Sequence, residues 1–102
     1  MASIHFVERL SNVTKMQGTS DEWESGNWVV SQKTAQSLVG GDLYLHSDQN
    51  EASHFGGEII GFRVHRGSHL NDRVVFRIRA SPKYRGVRTE REGWGNEKKI
   101  VP

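Results

Sequence analysis

Residues 40–61 read Gly-Gly-Asp-Leu-Tyr-Leu-His-Ser-Asp-Gln-Asn-Glu-Ala-Ser-His-Phe-Gly-Gly-Glu-Ile-Ile-Gly, two glycine pairs bracketing a polar loop. Asp42 to Ser47 alternates, with Leu43 and Leu45 on one face and Tyr44 and His46 on the other, the two-residue period of a half-buried strand. Glu58 to Arg66 reads as a second strand, with Ile60, Phe62 and Val64 inward and Ile59, Arg63 and His65 outward. The stretch therefore joins two core strands. Its glycines serve the backbone, Gly40 as a left-handed helix stop and Gly56-Gly57 as a tight turn or bulge.

Upstream, Trp28-Val29-Val30 is a β-favouring run that stops at Ser31, a good helix N-cap. Ala35, Leu38 and Val39 then form one apolar stripe at helical spacing, enough for two turns ending at Gly40. Residues 11–27 show little periodicity and several turn formers, which predicts a loop that holds Trp23 against the body. Ile4 to Leu10 reads as a short strand or extended arm.

Downstream, residues 67–71 form a connecting turn, and Arg73 to Arg79 has the cleanest alternation in the chain. Val74, Phe76 and Ile78 face one way; Arg73, Val75, Arg77 and Arg79 face the other. After Pro82 the pattern decays, and residues 86–102 read as a charged, mobile tail. The sum is a mainly β (α+β) single domain over 1–102: about five strands and one short helix, in a small, strongly curved sheet or partly open barrel.

Composition agrees with one domain, since 102 residues suit a single core. Apolar residues are 34% of the chain, a thin supply, so the nine aromatics must share the packing. No cysteine is present, which excludes disulfides, thiolate zinc sites and thiol nucleophiles and suits a reducing, cytoplasmic setting. No apolar run is long enough for a membrane span, and no signal-peptide pattern opens the chain.

The net charge of +2 conceals an asymmetry: residues 1–62 carry three basic and eight acidic side chains, residues 63–102 eleven basic and four acidic ones. A basic half is a footprint for a polyanion, because clustered Lys and Arg gain affinity by releasing phosphate counterions. A basic tail kept for solubility would give the same count.

Among chemical constellations, His46-Ser47-Asp48 has the residue types of a hydrolase triad, but strand neighbours point to opposite faces and cannot line up. A metal set of His46, Asp48, His54 and Glu58 has suitable donors at spacings that match no established motif. Neither glycine pair opens a helix with a following Lys and Ser or Thr, so phosphate cradling lacks its pattern, and no cofactor is implied. The stronger signal is the basic strand with its aromatic neighbours. Arg63, Arg77 and Arg79 can follow a phosphate backbone, joined by Lys83, Arg85 and Arg88, while Trp28, Tyr84 or Trp94 can stack on a base.

Three pieces of the chain also carry a family pattern: Trp28-Val29-Val30-Ser31, then Gly41 to Ser47, then Ser53 to Gly61. Together they resemble the PUA-like superfamily, the small pseudobarrels that include EVE, ASCH and YTH domains. The middle piece is similar to the Gly-Asp to Tyr-His-Ser run of EVE domains, the last to a Ser, Phe and Gly pattern of YTH domains. The resemblance implies a pseudobarrel that reads a modified or flipped base in an aromatic pocket; carried over residue by residue, the pocket rests on Trp28, Ser31, His46, Ser47, His54 and Phe55. Some ASCH-type members are enzymes on small amides or RNA. Two alternatives therefore stand beside nucleic-acid binding, a small hydrolase using the His46 to Glu58 loop and a protein-interaction module using the charge asymmetry.

Overall fold

A computed structural model of the chain describes residues 2–8, 12–66, 73–95 and 97–102. Among the described residues, seven strands build one mixed sheet: β1 (Ser3–Val7), β2 (Val13–Lys15), β3 (Glu22–Trp28), β4 (Asp42–His46), β5 (Ser53–His65), β6 (Arg73–Ala80) and β7 (Lys98–Val101). A helix, α1 (Gln32–Leu38), lies between β3 and β4, and a 3-10 turn spans Pro82–Tyr84. The strand order is β2-β3-β6-β5-β4-β1-β7, with β1 and β4 parallel and all other pairs antiparallel. The chain is thus mainly β with one short helix, as its alternation predicts.

One face of the sheet is the core. Ile4 and Phe6 of β1 pair in register with Leu43 and Leu45 of β4, and Ile59 of β5 with Ile78 of β6. All six are buried, together with Val74, Phe76 and, from α1, Ala35 and Leu38. Burying a Leu or Phe side chain contributes roughly 1.5–3 kcal/mol, so this row is the main favourable term of the fold. The helix begins as its sequence dictates: Ser31 Oγ accepts the Thr34 N–H at 3.1 Å, and Gly40 takes φ 91° just beyond the end. Val39 leaves the stripe and is 40% exposed, because the helix stops at Leu38.

Several expectations change. The expected loop at 11–27 contains β2 and most of β3. Its strand character is hidden because Glu22 and Glu24 alternate with Trp23 and Ser25, a pattern poor in apolar residues that becomes a strand only by pairing with β6. The expected strand at Trp28-Val29-Val30 is instead the end of β3, and Val29 is 62% exposed.

The inward set of the long strand is also different. β5 begins at Ser53, and Ile59, assigned outward, is fully buried. Ile59 faces Ile78 while Gly61 faces Arg77, so Ile60 is the extra residue of a bulge. The bulge resets the phase, which is why Ile59 and Phe62, three positions apart, both meet core residues of β6. On β6, Val75 keeps its place opposite the core residues but is buried there, since it packs against the backbone of Gly26, where a Cβ would fall 2.7 Å from Val75 Cγ2.

The tail is built into the body: the Ser53 N–H donates to the Val87 carbonyl, the Val87 N–H donates to Ser53 Oγ, and β7 pairs with β1. The turn expected at residues 67–71, and Arg9 and Leu10 of the first strand, lie outside the described residues.

The five-stranded pseudobarrel becomes a seven-stranded open sheet. Phe6 of β1 stacks on Trp28 of β3 with ring centroids 3.8 Å apart and planes 7° from parallel. Three strands separate β1 from β3 in the sheet, so the sheet must curl strongly for these rings to meet. Its end strands β2 and β7 do not pair, and it curls without closing.

Candidate functional site

Where the curled sheet fails to close, its two margins leave a cleft of about 1030 Å³. Gly26 to Val29 supply one wall, Phe6, Val7 and Glu8 with Gly95, Glu97 and Lys98 the other, and Asp48 and Gln49 of the β4–β5 loop a third. Trp28 is half-buried here: Phe6 backs its ring and its Nε1–H donates to Ser25 Oγ at 3.0 Å, which fixes the indole in one orientation. Lys98 reaches across, its ammonium donating to the Val29 carbonyl at 3.0 Å. A rigid aromatic plane beside the side-chain amides of Asn12, Asn27 and Gln49 suits a flat, polar-edged ligand.

Of the residues expected to form an aromatic pocket, only Trp28 lines this cleft. Ser31 is exposed and caps α1. Phe55 packs edge-on against Trp23 with centroids 5.2 Å apart, on the core face, while His54 and Ser47 are exposed elsewhere. The Leu43 carbonyl, Tyr84 Cβ and the Arg79 carbonyl occupy the space that side chains at Gly56 and Gly57 would need, and the smaller cleft of about 370 Å³ nearby is lined by Glu58, Arg79, Ala80 and Tyr84 and by neither glycine. Close backbone approach, not a ligand, accounts for that glycine pair.

His46 is fully buried in a polar cluster on the sheet face opposite the core. Its Nδ1 lies 2.8 Å from the Glu51 carbonyl and its Nε2 2.8 Å from His5 Nδ1. A carbonyl only accepts, so His46 carries its proton on Nδ1, and Nε2 then accepts from His5 Nδ1–H. Tyr44 stacks on His5 at 4.8 Å, Trp94 stands edge-on to both imidazoles, and the buried Lys99 lies close by. Burial first, then His46 and Lys99, drives His5 from 6.5 down to about 4. His46 is lowered as well, chiefly by burial and also by His54, against the opposing pull of the Glu51 carbonyl. With both ring nitrogens engaged, His46 has none to act as a general base. The proposed metal set is likewise dispersed, and among the described residues no cluster of three or more potential ligands occurs.

Tyr84, a candidate base platform, is also structural. Its phenol is buried and donates to Asp42 Oδ1 at 2.7 Å, and burial together with that bond raises its pKa. Trp94 Nε1 is buried with no hydrogen-bond partner among the described residues.

The guanidinium face is real but not free. Arg77 meets Glu22 at 2.7 Å, Arg63 binds Glu24 through two hydrogen bonds at 2.9 and 3.1 Å, and Arg79 lies 3.9 Å from Asp21 and 3.8 Å from Glu58. The hydrogen bond from Arg63 holds the Glu24 carboxyl below the usual range. The acidic half of the chain thus pairs internally with the basic half. Lys83, Arg85 and Arg88 remain exposed beyond β6, and Arg88 Nη1 donates to the Asn50 carbonyl in the loop that walls the cleft.

Sequence reasoning missed Phe6, Asn12, Asn27 and Gln49 as cleft residues. Nothing local marks them, since they come from separate segments gathered by curvature. Comparison with family models, curated proteins and solved structures found no match for this chain. Among the described residues, no helix is long and apolar enough to cross a membrane.

Proposed function

We propose that this protein is a nucleic-acid-binding domain that admits an unstacked base into the cleft between its sheet margins and stacks it on Trp28. The observation that carries the reading is the indole of Trp28, backed by Phe6 and opening on a cleft of about 1030 Å³. Base–aromatic stacking contributes about 1–3 kcal/mol per base, and the neighbouring amides offer donors and acceptors to a base edge. The resemblance to PUA-like domains supports the same mode at a different wall of the sheet. Arg88, Arg85 and Lys83, on the segment that buttresses the cleft loop, hold phosphates in this reading, while Arg63, Arg77 and Arg79 are committed to carboxylates. Cytoplasmic nucleic acid, RNA or DNA, is the partner.

Fluorescence anisotropy with labelled single- and double-stranded oligonucleotides, at about 50 and about 200 mM salt, tests it. Binding that weakens with salt and drops at least tenfold in Trp28→Ala supports the proposal. Absence of binding at the lower salt for both oligonucleotides overturns it.

A further inference from the structure

We infer that His46 is a positioning residue: by holding the Glu51 carbonyl it latches the 47–51 loop so that Asp48 and Gln49 form a wall of the cleft. Three observations converge on the loop. Its residues occupy no strand, so no sheet ladder fixes them. Inside the loop the bonds are short-range, from Glu51 N–H to the Asp48 carbonyl at 3.1 Å and from Asn50 N–H to Asp48 Oδ1 at 3.1 Å. Two ties to the body bracket it, Arg88 on the exposed side and His46 on the buried side.

The buried tie is directional. Glu51 accepts from His46 Nδ1–H, His46 Nε2 accepts from His5 Nδ1–H, and His5 is clamped by the Tyr44 ring. Each imidazole therefore has one tautomer compatible with its neighbours, and rotating either ring costs a buried hydrogen bond. The backbone of the same residue reaches the opposite wall, since the His46 carbonyl accepts the Glu8 N–H at 2.8 Å and Glu8 lines the cleft. One fully buried residue thus sets the spacing of two walls. The inference concerns the cleft assigned above to a base, but its readouts need no ligand.

Two substitutions separate positioning from packing. Asparagine keeps an N–H near the position of Nδ1, and glutamine keeps a polar atom near Nε2 while losing the donor to Glu51. A packing role predicts the larger disturbance from His46→Asn, which removes more volume. The latch predicts the reverse: exchange of the Asn50 and Glu51 amide hydrogens at least tenfold faster in His46→Gln and within about threefold of wild type in His46→Asn. Equal acceleration in both variants, or none, overturns the inference. Should the variants not fold, nitrogen-detected NMR of the wild-type imidazoles decides: a proton on His46 Nδ1 supports the latch, and one on Nε2 with Nδ1 bare overturns it. Oligonucleotide binding can fail entirely without touching either result.

Discussion

Arg77 Nη2 lies 2.7 Å from Glu22 Oε1 across the β3–β6 boundary, so the most basic strand of the chain sits beside one of its most acidic segments. Arg63 and Glu24 repeat the arrangement nearby. The pairing converts a face that looks like a phosphate track into a nearly self-neutralised one.

Removing the carboxylates should uncover that track. A Glu22→Gln, Glu24→Gln double variant frees two guanidinium groups, each able to meet a phosphate. On single-stranded nucleic acid the slope of log K against log salt should steepen by about 1.4. The partly exposed pairs should cost less than about 1 kcal/mol each in folding stability, since screening weakens them. An unchanged slope in salt-dependent anisotropy would show that the arginines stay unavailable for another reason.

Trp28→Phe and Trp28→Ala should separate support of the fold from capture of a ring. Phenylalanine retains the stack on Phe6 but loses the bond to Ser25 Oγ, and should cost about 1 kcal/mol with base binding reduced only a few-fold. Alanine removes the stack from a half-buried position and should cost about 2–3 kcal/mol, with binding lost. Urea unfolding and anisotropy on the same preparations check both halves.

Acid should weaken the fold through the buried imidazoles. His5 titrates near 4 in the folded state and near its ordinary 6.5 when unfolded, and His46 is displaced in the same direction. Between those values the unfolded chain binds more protons, so stability is full above about pH 6.5, falls as the pH drops, and has lost the whole contribution below about 4. For His5 alone the loss is about 3 kcal/mol. Carboxylates such as Glu24 titrate in part of the same window, so the comparison is with His5→Gln, whose urea midpoints should fall less steeply between about pH 7 and about pH 4. Identical profiles for the two proteins would sink the idea.

Glycine substitutions along β5 should have opposite outcomes. A Cβ at Gly56 would meet the Leu43 carbonyl oxygen and one at Gly57 the Arg79 carbonyl oxygen, both fixed backbone. Gly56→Ala and Gly57→Ala should therefore each destabilise by about 2 kcal/mol or more. At Gly61, beside the bulge, a Cβ meets nothing within 4 Å, and Gly61→Ala should be neutral or stabilise by about 0.5 kcal/mol through the unfolded chain. Thermal melts of the three variants provide the ranking.

The sequence by itself determined what short-range periodicity and backbone chemistry can determine. Alternation at Leu43 and Leu45 and at Val74, Phe76 and Ile78 marked two core strands, and Ser31 and Gly40 marked the ends of the helix, because each signal resides in a few adjacent residues. Tertiary structure decided the rest. Whether Glu22 to Trp28 is a strand depends on β6 being alongside it, and which of Ile59 and Ile60 faces the core depends on a bulge set by pairing. The cleft exists because curvature brings Phe6 to Trp28 across three intervening strands, and Arg63 and Arg77 are neutralised because they meet Glu24 and Glu22, 39 and 55 positions away in the chain, on one face. Periodicity reports which way a side chain points; what it meets there is fixed by long-range pairing, curl and charge partners that no local pattern encodes.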